Sequence, residues 1–208
     1  MNRKKVILVA IVLALLLLIG SMLAYFTDTE SKTNNFTLGE KKIDIILTET
    51  LWDNLPDADG DHIPDAAEDI IPGATITKDP QIKNNSTTNS VCVFAKVIVP
   101  AVSQNKEIFT YTIDSTKWVE VGTPEYDSDE GTVTHVYAYG SAQEMTELES
   151  GVTTEKVFAS VTVNSALTEA DLQNIESSQQ IDIEAHGIQY DNLESYVPAD
   201  VLDLISWN

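Results

Sequence analysis

Val91-Cys92-Val93-Phe94-Ala95-Lys96-Val97-Ile98-Val99 is an apolar run of β-branched and aromatic residues broken only by Lys96. It is too short and too rich in valine for a core helix and does not alternate, so it reads as a strand covered on both faces. Other strands are expected at about 41–49, 108–113, 117–121, 132–139, 157–163 and 180–189, where Val, Ile, Thr, Tyr and Phe recur with period-two stretches. Pro124, Gly131, Gly140 and Gly151 punctuate them. Some seven short strands with turn signals between them predict an all-β antiparallel sandwich. Helix signals are few. Thr168 followed by Glu169 and Asp171, with Leu172 and Ile175 behind, reads as one short connecting helix, and 201–207 is either a strand or a helical turn.

Cys92, the single cysteine, sits inside that first strand. An intramolecular disulfide is therefore excluded, and a thiol in such a run acts as a small apolar filler. The formal charge of the chain is −21, and removing the three cations Arg3, Lys4 and Lys5 takes it to −24. Such a surface repels nucleic acid and anionic lipid and draws cations.

Those three cations open the chain, and the uncharged run from Val6 to Phe26 that follows is the pattern of an export signal carried on an apolar helix. Residues 1–24 are read as the signal, with the cut between Ala24 and Tyr25, and residues 25–40 as an extended polar arm. Residues 41–208 form the sandwich domain. A cut after Ala24 places Met22 at the outer recognition position and Tyr25-Phe26 just beyond it, which departs from the small residues an ordinary signal peptidase prefers. Left uncleaved, Val6 to Phe26 is long enough to cross a bilayer and to anchor the protein.

The sharpest chemical feature is Asp57-Ala58-Asp59-Gly60-Asp61-His62-Ile63-Pro64-Asp65-Ala66-Ala67-Glu68. Calcium takes about six to eight oxygen ligands, and an EF-hand loop supplies them from positions 1, 3, 5, 7, 9 and 12, the seventh by its backbone carbonyl. Those positions are here Asp57, Asp59, Asp61, the carbonyl of Ile63, Asp65 and Glu68. The sixth position, ordinarily Gly because the turn needs a positive φ, is His62. Calcium is the expected cofactor, bound loosely and as a structural clamp, because no strong helices flank the loop. No organic cofactor is expected. A His-Glu-x-x-His zinc motif is absent, the histidines being His62, His135 and His186, and no Gly-x-Ser-x-Gly elbow occurs. No catalytic residues are assigned.

The start of the chain and several later segments resemble the TasA/camelysin family of exported proteins. They are Ala24-Tyr25-Phe26-Thr27-Asp28-Thr29-Glu30-Ser31, Asn35-Phe36-Thr37-Leu38-Gly39 and the strand at 42–49. Pro72-Gly73-Ala74, Lys78-Asp79-Pro80, Lys83-Asn84-Asn85-Ser86, Val136-Tyr137-Ala138-Tyr139 and Ile181-Asp182-Ile183-Glu184-Ala185 follow in family order. The resemblance implies a jelly-roll-like sandwich and a dedicated SipW-type signal peptidase as processing partner. It also implies a secreted or cell-surface location and a structural role as a biofilm-matrix fibre subunit that assembles with itself in the extracellular matrix or cell envelope. Strand donation from the arm would then join subunits, with Tyr25, Phe36 and Leu38 as anchors. The alternatives are a camelysin-like surface metalloprotease and a monomeric, membrane-anchored adhesion module.

Overall fold

A computed structural model describes residues 43–175, 178–205 and 207. The expected signal at 1–24, its cut at Ala24 and Tyr25, the arm at 25–40 and its anchors Tyr25, Phe36 and Leu38 lie outside the described residues.

The described chain is built from antiparallel strands with few short helices, as the sequence predicts. In chain order the strands are β1 (Ile45–Thr48), β2 (Thr75–Thr77), β3 (Gln81–Asn84), β4 (Val91–Ser103), β5 (Lys106–Glu107), β6 (Phe109–Ile113), β7 (Trp118–Glu120), β8 (Glu125–Asp127), β9 (Thr132–Tyr139), β10 (Phe158–Val163) and β11 (Asp182–Gln189). Two helices, α1 (Glu169–Leu172) and α2 (Pro198–Leu202), complete the set with two 3-10 turns at Trp52–Asn54 and Asp65–Ala67.

The spine is β4. It pairs with β11 from Val91↔Gln189 to Ile98↔Asp182 and with β9 from Phe94↔Ala138 to Pro100↔Thr132. β7 extends this sheet beyond β9, giving the order β11-β4-β9-β7, with β5 on β4 and β8 on β9. A three-stranded sheet, β2-β10-β6, and a two-stranded sheet, β1-β3, accompany it.

The absence of alternation in β4 now has its physical cause, because each face of the strand meets a different core. Val91, Val93, Ala95, Val97 and Val99 join Ile76, Ile82, Phe109, Trp118, Phe158 and Val161 in the main core. Cys92 and Phe94 point the other way, into a second core with Ala138, Met145 and Val201 of α2. The chain after β11 supplies the cover on that side, through Tyr190, Leu193, Leu202, Ile205 and Trp207. Burying each large apolar side chain contributes about 1.5–3 kcal/mol before conformational entropy is set against it. Lys96 interrupts the run where the second face meets solvent, paired to Glu184 at 2.6 Å and lying over the Trp207 ring.

Two details fix the edges. Asn84 is fully buried, its amide donating to the carbonyls of Asn89 and Leu148 at 2.7 and 2.9 Å while its Oδ1 accepts from the Ser86 N–H at 3.0 Å. Gly187 of β11 is required by close approach, since a Cβ there would stand 2.9 Å from Cγ2 of Ile45 in β1.

Candidate functional site

The acidic loop leaves the sandwich after β1 and returns before β2. Its entry is held by Asp79, whose Oδ1 accepts the N–H groups of Leu51 and Trp52 at 2.9 and 3.2 Å. Its neck is closed by the Asp65 N–H donating to the Pro56 carbonyl at 2.9 Å. Pro64 is buried beneath it while the aspartates face solvent.

Within the loop the carboxylates organise the backbone. Asp57 accepts from the Gly60 N–H through Oδ1 at 2.7 Å and from the His62 N–H through Oδ2 at 3.1 Å. Asp59 accepts from the Asp61 N–H at 3.3 Å, and Asp61 from the Ile63 N–H at 2.8 Å. These are successive Asx turns, the local bonds that let short acidic side chains replace regular secondary structure. His62 adopts φ 75°, the left-handed conformation that the sixth position of a calcium loop demands.

The result draws Asp57, Asp59 and Asp61 together, with one carboxylate oxygen of each lying within 4.8 Å of the others. Asp65 and Glu68 stand outside that trio, and Asp65 Oδ1 accepts the Ala58 N–H at 2.8 Å. Ile63 is partly exposed at the loop surface. Glu68 is held above its ordinary pKa, first by lost solvation and then by the charges of Asp59, Asp61, Asp65 and Asp69. Oxygen-only donors converging with excess negative charge suit a hard cation of the calcium class rather than zinc.

The histidines do not form a zinc centre. His186 of β11 stands opposite Phe94 and meets the Trp207 ring on the outer face of the sheet. His135 of β9 stands opposite Val97 and faces the main core, on the other side of the same sheet. His62 lies in the exposed loop. Among the described residues the one group of three metal-ligating side chains brought together is Asp57, Asp59 and Asp61.

One arrangement was invisible in the sequence. Both ring nitrogens of His135 meet carboxylates, Nδ1 that of Glu120 at 2.6 Å and Nε2 that of Glu107 at 3.2 Å. No spacing along the chain announces this, because the three residues come from three different strands.

A family model described as camelysin metallo-endopeptidase matches residues 2–121, more than half of the 208-residue chain. No curated protein and no solved structure matches it.

Proposed function

The chain belongs to the camelysin metallo-endopeptidase family, and from that premise we propose an exported structural protein that polymerises at the cell surface or in a biofilm matrix, with calcium bound by its acidic loop. Membership of this family suggests an extracellular or surface protein. The observation that supports polymerisation is the open architecture of the sheets. Among the described residues the large sheet ends at β11 and the three-stranded sheet ends at β2 and β6. A sheet edge offers backbone donors and acceptors to an added strand. The arm at 25–38 of a neighbouring subunit is the proposed donor, with Tyr25, Phe36 and Leu38 filling side-chain pockets, and head-to-tail addition that does not close makes a filament.

In this reading Asp57, Asp59 and Asp61 begin the calcium shell, and Asp65, Glu68 and the Ile63 carbonyl complete it as the loop tightens. The ion would rigidify the loop and lower repulsion between acidic subunits. A synthetic peptide spanning residues 25–38, offered to protein lacking that segment, tests strand donation. Saturable binding supports it, and absence of binding at millimolar peptide contradicts it.

A peptidase is the second reading, favoured by the description of the family. Among the described residues His135 and His186, on opposite faces of one sheet, cannot share a zinc. Casein cleavage that chelator abolishes would establish the peptidase against this reading.

A further inference from the structure

The environment of His135 carries an inference independent of assembly. A neutral imidazole has one N–H, so it can donate to one carboxylate only, and its other nitrogen then points a lone pair at the second. Satisfying Glu107 and Glu120 together requires the imidazolium. The three residues belong to separate strands: His135 to β9, Glu107 to β5 and Glu120 to β7.

The clasp occupies a break in backbone pairing. β7 pairs with β9 at Tyr137, Ala138 and Tyr139, and β8 pairs at Thr132, Val133 and Thr134, so His135 falls between the two. β5 is a two-residue strand attached to β4 across an irregularity between Ala101 and Ser103. The Val121 N–H still donates to the Val136 carbonyl at 2.8 Å, so the side-chain contacts bridge a gap at His135 alone.

The surroundings leave the carboxylates as the deciding charges. Tyr111 of β6 meets the His135 ring edge-on and Tyr137 of β9 stacks parallel to it, each with centroids 6.1 Å away. Their hydroxyls bond one another at 3.0 Å, and burial pushes both phenols up, so they stay neutral. β4 presents apolar Val97 opposite His135. Glu125 of β8 stands opposite Thr134, whose side chain takes the other face of the sheet from that of His135. Lys106, next to Glu107, is turned away to Asp171 at 2.6 Å.

We propose that His135, Glu107 and Glu120 form a proton-dependent clasp that ties the β4–β5 hairpin and β7 across β9 while His135 is charged, and releases one side when it is neutral. Glu120 is the side that lets go, being more exposed than Glu107, at 40% against 24%. Burial by itself would depress the His135 pKa, but the hydrogen bonds and charges of the two glutamates outweigh it and hold the pKa above its ordinary value. The sign follows. The stabilisation is fully present below the unfolded-state pKa of about 6.5 and is lost as pH rises through the higher folded-state value.

The test is an NMR titration of the His135 ring in the full chain, with thermal unfolding of wild type, His135→Gln and Glu120→Gln measured from about pH 5.5 to about pH 9. His135 should titrate above its ordinary value and fall back in Glu120→Gln. The Tm advantage of wild type over His135→Gln should be largest at the acid end and shrink steadily through the His135 titration. Amide exchange in wild type, corrected for intrinsic base catalysis, should rise in β7 over the same range while β10 stays protected, a readout that needs no variant to fold. Titration at or below about 6.5 overturns the proposal, as does a Tm gap independent of pH or exchange in β7 that does not change.

Discussion

Cys92 and Asn84 show how much a single residue's role depends on what the fold places over it. The thiol is fully buried, and burial, followed by the charges of Glu147 and Glu194, pushes its pKa up to about 12. It should therefore resist iodoacetamide at neutral pH until the protein is denatured; rapid labelling of the native chain would contradict its place in the second core. That role as apolar filler was legible from its neighbours. Asn84 was not, because the sequence presents it in a polar, sequon-like stretch, whereas the structure buries its amide with every bond made. Asn84→Ala should cost about 2–3 kcal/mol by stranding the Asn89 carbonyl and the Ser86 N–H, measured by urea unfolding. His62 sits between these cases: the sequence showed the position to be unusual, and the structure gives it the positive φ that glycine adopts freely. His62→Gly should raise the stability of the fold by about 1 kcal/mol by relieving that backbone cost, which urea unfolding would read.

Among the elements, the long and apolar ones could be read and the short polar ones could not. β9 matches its expected span at Thr132–Tyr139, and β4, β6, β7, β10 and β11 lie within a few residues of theirs. β2, β3, β5 and β8 run for two to four residues through Thr, Gln, Lys, Glu and Asp; they are strands because a neighbour pairs with them, not because of their own propensity. Helix α1 keeps the expected Thr168 cap, with the reciprocal bonds of a capping box to Asp171, but ends at Leu172. Lys106, together with the Thr168 bonds, holds the Asp171 carboxyl down at about 2. That contribution is present above the unfolded-state value of about 3.9 and disappears as pH falls through the folded one, so the α1–β5 contact should weaken only in strong acid. Thr168→Ala should cost about 1 kcal/mol at neutral pH by removing the cap. In the acidic loop, the carboxylate spacing was plain in the sequence, but the inward turn of Asp57, Asp59 and Asp61 rather than all five carboxylates depends on Asx bonds that no spacing rule specifies. Asp59→Asn with Asp61→Asn should abolish the rise in Tm on adding millimolar calcium; an unchanged rise would locate the ion elsewhere.

At the scale of the molecule, the family match ends at residue 121, yet β9 and β11, which flank the central strand, both come later in the chain. The two cores on either side of β4 therefore close only with the residues after 121, and truncation after β7 should leave a chain without cooperative unfolding. The sandwich class was readable because turn residues recur between apolar runs; the covering of the second face by the chain after β11 was not, since the spacing of its apolar residues does not say which face they cover. Polymerisation through a donated strand is measured most directly by light scattering after size exclusion, with negative-stain microscopy, on protein beginning at Tyr25. Filaments are expected in millimolar calcium, shortening with chelator and vanishing when residues 25–38 are deleted. A monodisperse monomer in every condition would contradict it.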